Sequence, residues 1–529
     1  MVRTDINKEG QLDCLLIFPP FDFPDGFYSN LRAYDPPLGL LALAAYVRQY
    51  QYSVQILDCN VEFGDTDDEF EAFFQKEFAE KYDNINVIGF TTTTPTINAA
   101  FRVAAICRKY FPKAQIVFGG AHASFVPDEA LDKPYVDAVA ISEGEETLKE
   151  LLDGVPYPEI DGLAYKNGFN GKVEFQRNKP RERIKDLDEL PIPAYDLIEM
   201  DQYTPILGAY KRLPAMMMVS SRGCPWSCNF CRRPVGKLLA ARSAENIYQE
   251  MQMLSEVYGI KDIAFQDDVF TVNHENVNRL CDLLIQNPID VNWLCFARVD
   301  IVSPDLLQKM KRAGCWQIMF GVENFNQDVL NGMGKGLEVQ QIFDGVNRAK
   351  EAGLEVRVCM IIGNPGDTEE IIHNNIDLVK QLDPDYLSNA ILTPFPGHAI
   401  YNWAIKENRI MSYDWDLYYG ATPLVKIDNL SPEDIKRLYR KMTFEVYFRP
   451  RLILKKLLSI RSLTEFKIYL KGFLALSHFM LEKLIFKLKP TYKVDRTTAD
   501  ETKVKKLTPG EEQHRINLTK TATKQTAKT

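Results

Sequence analysis

The chain has 529 residues, 46% hydrophobic and 26% charged, with 29 Gly and 29 Pro, a globular balance that excludes collagen-like, mucin-like, coiled-coil and wholly disordered chains. The net charge of −9 is uneven: residues 431–490 hold 14 Lys and Arg against 5 Asp and Glu. The acidic remainder argues against a general nucleic-acid binder, because counterion release needs clustered cations.

The opening MVRTDINKEGQLD has no apolar core of a secretory signal, and no run of 18 uncharged apolar residues occurs, so no transmembrane helix is expected. Ten cysteines in such a chain point to metal or redox chemistry or to packing, not to a disulfide framework. Residues 14–18 (CLLIF), 54–58, 87–91, 115–120 and 136–142 read as strands, and 38–50 and 97–110 as helices. This alternation predicts a parallel, doubly wound α/β domain over residues 1–150, with ligands at the carboxyl ends of the strands. Those ends are Phe18-Pro19-Pro20, Thr91–Thr96, Gly119-Gly120-Ala121-His122 and Glu143-Gly144-Glu145. Residues 151–205 hold a β-hairpin signal around Asn/Gly and a Pro-punctuated linker.

A second alternation follows over 206–400, with strands expected at 216–220, 262–266, 293–297, 317–321, 355–362 and 387–392. Six βα steps fit a partial (β/α)6 barrel, whose chemistry sits just after each strand. Residues 401–490 turn helical, and 491–529 are poor in apolar residues and are expected to be disordered. Within 476–488, Leu476, Met480, Leu484 and Leu488 form an apolar stripe beside Lys483, Lys487 and Lys489. Two readings stand: a helix packed on the barrel with its lysines in water, which is the default, and an amphipathic helix on an anionic membrane surface.

The first barrel strand runs into Ser221-Arg222-Gly223-Cys224-Pro225-Trp226-Ser227-Cys228-Asn229-Phe230-Cys231. Three thiolates in one short loop can hold three irons of a 4Fe–4S cluster and leave the fourth iron open. A closed zinc site needs a fourth ligand, and no further Cys or His lies near the loop. Gly223 and Pro225 suit a tight loop, and Phe230 suits a shield against water. The other seven cysteines lie in or beside apolar runs and read as core packing.

The C-x3-C-x2-C loop at the end of a first barrel strand resembles the radical S-adenosylmethionine enzymes. Later segments agree in order: Phe265-Gln266-Asp267-Asp268 after the second strand, Gly321-Val322-Glu323-Asn324 after the fourth, Ile362-Gly363-Asn364-Pro365-Gly366 after the fifth, and Pro394-Phe395-Pro396-Gly397. The resemblance implies metal ligands Cys224, Cys228 and Cys231. It implies cofactor contacts at Asp267, Asp268, Arg298, Glu323, Ile362 and Gly363. Taken alone, Asp267 and Asp268 also suit a helix cap, and Glu323 an ion pair. The implied chemistry is S-adenosylmethionine chelated to the open iron, reductive cleavage of its sulfonium, and hydrogen abstraction by a 5′-deoxyadenosyl radical.

The N-terminal domain, with Pro36-Pro37-Leu38-Gly39-Leu40, Gly119-Gly120-Ala121-His122 and Glu143-Gly144-Glu145-Glu146-Thr147, resembles that of the cobalamin-binding members. This implies cobalamin contacts at Pro36, Gly119, Gly120, His122, Glu143, Gly144 and Glu145. The D-x-H-x-x-G motif that supplies a cobalt ligand elsewhere is absent, and His122 reads as a loop residue rather than that ligand. The commonest reaction in the resembled group is methylation of an unactivated carbon, and the alternative is radical oxidative cyclisation or rearrangement with the same cofactors. A transfer-RNA methylthiotransferase is disfavoured, because the residues around Cys14, Cys59 and Cys107 do not match its pattern. A cobalamin or iron–sulfur sensor is disfavoured by the full set of strand-end segments. The expected partners are an apolar small molecule (a lipid, isoprenoid or tetrapyrrole intermediate) and an electron donor such as flavodoxin or ferredoxin, with no nucleic acid. The expected setting is a reduced cytoplasm, with peripheral membrane contact as the second reading of the basic helix.

Overall fold

Buried strands alternate with one-sided helices in a computed structural model that describes residues 10–21, 33–61, 66–169, 172–206, 208–231, 234–459 and 470. The first half contains β1 (Gln11–Phe18), α1 (Leu38–Arg48), β2 (Val54–Asp58), α2 (Asp67–Phe74), β3 (Asn84–Thr91) and α3 (Ile97–Tyr110). It continues with β4 (Gln115–Gly119), α4 (Gly120–Phe125), α5 (Pro127–Leu131), β5 (Ala138–Ala140), α6 (Glu145–Leu152), β6 (Leu163–Phe169) and β7 (Lys172–Arg177). The seven strands form one sheet in the order β2-β1-β3-β4-β5-β6-β7. The first five are parallel and the last two antiparallel. The strand order reverses between β1 and β3, which opens a crevice at the carboxyl edge of a doubly wound sheet. The hairpin signalled after residue 151 does not stand apart, because β6 pairs with β5 and carries the sheet on to Arg177.

The second half contains β8 (Ala215–Met218), β9 (Ser221–Arg222), β10 (Ala240–Ala241), α7 (Ala244–Tyr258), β11 (Asp262–Phe265), α8 (His274–Gln286), β12 (Asn292–Ala297) and α9 (Pro304–Arg312). Next come β13 (Cys315–Glu323), α10 (Gln327–Gly332), α11 (Val339–Glu351), β14 (Glu355–Ile362), α12 (Glu369–Leu382) and β15 (Tyr386–Ile391). Six of these strands form an all-parallel sheet in the order β8-β11-β12-β13-β14-β15, the half-barrel expected from the sequence. Its helices start at side-chain caps: Ser243 accepts from the Asn246 amide before α7, Ser303 from Leu306 before α9, and Thr368 from Ile371 before α12. Alternation along the strands splits the side chains into two sets. Met216, Met218, Ile263, Phe265, Cys295, Val356 and Val358 belong to the outer core under the helices. Met217, Ala264, Leu294 and Trp316 close the lower lumen with Ala209. In the outer core the Phe265 and Phe270 rings lie 4.5 Å apart and Phe265 and Trp293 5.8 Å apart, each buried ring stabilising the fold by about 2–3 kcal/mol.

The C-terminal region adds α13 (Ala399–Lys406), α14 (Pro432–Tyr447) and α15 (Pro450–Ser459). It closes the free edge of β15. The Tyr447 hydroxyl accepts from the Leu387 amide (3.1 Å) and donates to the Leu387 carbonyl (2.7 Å), and the Ile391 amide donates to the Gly420 carbonyl (2.7 Å). Among the described residues, no helix is long and apolar enough to cross a membrane. The basic stripe at 476–488 and the tail at 491–529 lie outside the described residues.

Candidate active site

The cysteine loop is built from the end of β8. Asp267, buried after β11, holds that end in place. Its carboxylate accepts from the Ser220 amide (2.7 Å), the Ser221 amide (3.2 Å), the Ser221 hydroxyl (3.0 Å) and the Ser220 hydroxyl. Burial raises the Asp267 carboxyl above its ordinary range. Gly223 then turns with φ +93°, and a Cβ there would run into the Leu238 carbonyl, so only glycine fits. Downstream, the Asn229 amide donates to Met333 O (3.0 Å), its side chain to Gly332 O (2.7 Å), and its carbonyl accepts from the Ile400 amide (3.0 Å). The loop is therefore tied to both α10 and α13.

Within the loop, Cys224 is buried and Cys228 and Cys231 are half-buried. Burial pushes the Cys231 thiol up to about 12, and the charges of Asp268, Cys228 and Cys224 push the same way, while Lys335 opposes them. The three sulfurs thus feel one another, a donor set that binds as thiolates only when a cationic centre takes the place of the protons. Three thiols set along one short loop, Cys224, Cys228 and Cys231, fit a cluster with iron at separate corners. Asp268 is exposed beside these thiols.

Two cations support the loop. The Arg298 guanidinium stacks over the Trp226 ring at 4.5 Å, forks onto Asp300 (3.0 and 2.9 Å), and donates to the Lys335 carbonyl (3.0 Å). Lys335 is buried, with its ammonium 2.9 Å from Glu323 and 5.7 Å from the Phe230 ring centroid. Burial lowers the Lys335 proton affinity, but the charges of Glu323 and Cys228 outweigh it, and the net shift is upward. Glu323 has φ +68°, and Gly321 makes room for the pair: a Cβ there would lie 2.5 Å from Glu323 Oε1 and 2.8 Å from Lys335 Nζ. Lys335 sits between Gly334 and Gly336, both at positive φ. That glycine-flanked lysine was a readable signal, but sequence reasoning passed over it.

The end of β14 is held by a second buried carboxylate that sequence reasoning also missed. Asp367 accepts from the Gly363 amide (2.9 Å), the Asn364 amide (2.8 Å) and the Asn324 side chain (2.9 Å), and burial pushes it up to about 6. Ile362 packs its side chain into the outer core and gives its carbonyl to the Leu392 amide (2.9 Å). Gly363 turns at φ +84°.

On the opposite side stand the strand ends of the first sheet. Gly120 has φ +85°, and a Cβ would lie 2.6 Å from both Thr92 N and Thr92 O, whereas a Cβ on Gly119 would meet nothing nearer than 3.7 Å. Pro36 lies at the start of α1, its carbonyl accepting from Leu38, and Gly144 sits 3.3 Å (as Cβ) from Leu43. Both nitrogens of buried His122 are engaged: Nδ1 lies 3.2 Å from Thr94 Oγ1 and Nε2 3.1 Å from Glu129, which also accepts from Trp415 Nε1 (2.8 Å). Glu143 and Glu145 face Arg222, at 3.1 and 2.6 Å. Phe125 packs on Gly397, where a Cβ would clash with the ring, and Asn98 donates to Asp416 (3.0 Å). Four of these links, Trp415 to Glu129, Arg222 to Glu143 and Glu145, Gly397 to Phe125 and Asn98 to Asp416, join the first half of the chain to the half-barrel and the segments that follow it. The carboxyl edges of the two sheets therefore face each other across one cleft.

A glycine-lined nucleotide-type crevice facing a three-cysteine half-barrel defines the cobalamin-binding radical S-adenosylmethionine enzymes, and the chain belongs to that family. Residues 29–152 match the B12 binding domain and residues 218–379 the radical SAM superfamily. The chain is 34% identical over 451 residues to an uncharacterized methyltransferase of Pyrococcus horikoshii, covering 83% of this chain and 94% of that protein. It is 25% identical to the anaerobic magnesium-protoporphyrin IX monomethyl ester cyclase of Rubrivivax gelatinosus, over 65% of this chain and 62% of that one. In fold it is similar to the radical S-adenosylmethionine methyltransferase TsrM of Kitasatospora setae, solved with cobalamin and a 4Fe–4S cluster, with a TM-score of 0.63, 16% identity, and coverage of 89% and 100%. The family's cofactors are a 4Fe–4S cluster, S-adenosylmethionine and cobalamin.

Proposed function

We propose that this enzyme methylates an unactivated carbon of a small molecule. The observation that carries the reading is the Arg222 bridge. Arg222 lies two residues before Cys224 and binds Glu143 and Glu145 on the cobalamin-side loop, so the cofactor loops of the two domains work against one another over a short gap. The bound cofactors supply a hydrogen-abstracting radical and a transferable methyl group.

The chain's own residues hold and shelter them. Cys224, Cys228 and Cys231 are the cluster ligands in this reading. Trp226 and Phe230, with Arg298 and Lys335 against their faces, keep water from the sulfurs. Asp268 and Glu323 are the carboxylates that face the S-adenosylmethionine site, while Asp267 and Asp367 set the loops on which they stand. Gly119 and the Thr91–Thr96 loop line the corrin side, and the missing side chain at Gly119, where a Cβ would make ordinary contact with Phe90 O and Ala140 at 3.7–3.9 Å, leaves the backbone there bare for a tail to pass close to it. In this reading cobalamin binding falls in 1–150, with its sheet extended by β6 and β7 to Arg177, and the barrel in 206–400.

Similarity to a cyclase supports a second reading, oxidative ring formation with the same cofactors. The electron donor is a flavodoxin or ferredoxin in a reduced cytoplasm. Peripheral membrane contact is supported by α15, where Leu454, Leu457 and Leu458 are exposed beside Lys455. The test is anaerobic incubation of the reconstituted protein with dithionite and S-adenosylmethionine. Release of 5′-deoxyadenosine together with S-adenosylhomocysteine is expected, and a product heavier by one methylene separates methylation from cyclisation. Absence of both nucleosides sinks both readings.

A further inference from the structure

The half-barrel lumen contains a cation that no described carboxylate balances. Arg357, on the inner face of β14, is 4% exposed. Its Nη1 reaches only the Ser388 hydroxyl, at 3.4 Å, and its guanidinium lies 5.0 Å from the Tyr386 ring centroid. Its Nε and Nη2 have no hydrogen-bond partner among the described residues. No described carboxylate lies within ion-pair distance. Glu355, two residues earlier, is already held by Lys211 (2.8 Å) and Lys456 (3.1 Å). Room is kept for the guanidinium at Gly208, where a Cβ would lie 2.7 Å from Nη2. A buried, unpaired charge is costly unless a counter-ion arrives to pair it.

The position says what kind of counter-ion. Below Arg357 the lumen is closed by Met217, Ala264, Leu294 and Trp316. Phe296 stands level with it through Met319, and Ile361 and Ala390 lie above it; these inward side chains, with Val219, are only half-buried and line the upper trough largely with apolar groups. The inward row on β14 climbs from Arg357 through Cys359 to Ile361, about 13 Å at the strand rise, towards the Glu323–Lys335 pair and the cysteine loop. A molecule lying along this row would have one end at the guanidinium and the other towards the cysteine loop.

We propose that Arg357 is a specificity-determining residue that anchors the anionic head of an amphipathic substrate, a carboxylate or a phosphate, with the apolar body pointing up to the cofactors. The proposal rests on the half-barrel being the substrate chamber of the reaction proposed above, and it narrows the substrate from merely apolar to apolar with one anionic end. A planar guanidinium pairs with either head in the same forked geometry.

The test is calorimetric titration of the cluster- and cobalamin-loaded protein with octanoate, octyl phosphate and octanol. At least one anion is expected to bind about tenfold or more tightly than octanol, and the stronger of the two identifies the head group. Arg357→Gln is expected to remove that preference while octanol binding persists, and Arg357→Lys to retain part of it. Equal binding of all three compounds by the wild-type protein, or an undiminished anion preference in Arg357→Gln, overturns the proposal. If Arg357→Gln does not fold, the wild-type ratio of anion to alcohol decides the matter alone. A wild-type enzyme that forms no 5′-deoxyadenosine would defeat the methylation reading without altering that ratio, so the two failures are distinguishable.

Discussion

Replacing Arg222 by Met should loosen the joint between the two cofactor domains, and the geometry sets the size of the effect. The Glu143 and Glu145 side chains are 5% and 4% exposed, while Arg222 is 21% exposed. Removing one partner of a buried, hydrogen-bonded ion pair costs about 3–5 kcal/mol. Water that reaches the exposed fifth of Arg222 favours the lower end. Glu143 keeps the Ile184 amide at 2.9 Å and Arg183 at 3.9 Å, so most of the loss falls on Glu145. A cost of about 3 kcal/mol raises the population of the parted state about a hundredfold. Amide hydrogen exchange reports that population directly when reclosing is fast. The amides of 143–147 and 221–224 should therefore exchange about a hundred times faster in Arg222→Met, and about ten times faster in Arg222→Lys, which keeps charge but cannot fork to two carboxylates. Exchange within about threefold of wild type in both segments would show that the bridge does not hold the domains together.

Four further outcomes are expected. Replacing Cys224, Cys228 or Cys231 by Ala should remove the thiolate-to-iron absorption near about 400 nm and the bound iron, and a single variant with full iron would refute the ligand assignment. Gly223→Ala should cost about 3 kcal/mol in the loop, since it combines a left-handed φ with a backbone clash, and should abolish iron loading while far-ultraviolet dichroism stays native; normal loading would contradict it. Gly119→Val should weaken cobalamin retention with little change in melting temperature, whereas Gly120→Ala should lower both, because its Cβ meets the Thr92 backbone at 2.6 Å; unchanged retention in Gly119→Val argues against this face as the corrin site. Lys335→Met removes a buried cation beside the cysteine loop and should make the cluster harder to reduce, seen as a more negative midpoint in an electron-paramagnetic-resonance redox titration; an unmoved midpoint would mean the ammonium is screened from the cluster.

The strands of the half-barrel were readable to within a few residues because parallel strands buried on both faces are near-continuous apolar runs; VCMII in β14 and IAF in β11 are examples. The cysteine loop was readable because its ligands are adjacent in sequence. What escaped notice depends on distance along the chain. The resemblance implies cobalamin-side roles for Glu143 and Glu145, but their bridge to Arg222 could not be read locally, because that residue lies 79 and 77 positions away. Nothing in residues 163–177 says which strand the hairpin joins, since a pairing partner is chosen by non-local packing. Arg357 reads in sequence as one polar residue in an apolar strand. Its isolation from every described carboxylate exists only once the barrel has closed around it.

The seal on β15 has a consequence for how the protein is made. A half-barrel, unlike a closed one, ends in a strand with unspent amides and carbonyls, a template for pairing with another chain. Here the groups that occupy that edge, the Gly420 carbonyl and the Tyr447 hydroxyl, come from later in the chain. During synthesis the finished sheet must therefore wait with its last strand bare until residue 447 has left the ribosome. A chain cut between β15 and α14 would keep every cluster and cobalamin residue named above, yet would be expected to precipitate through that edge.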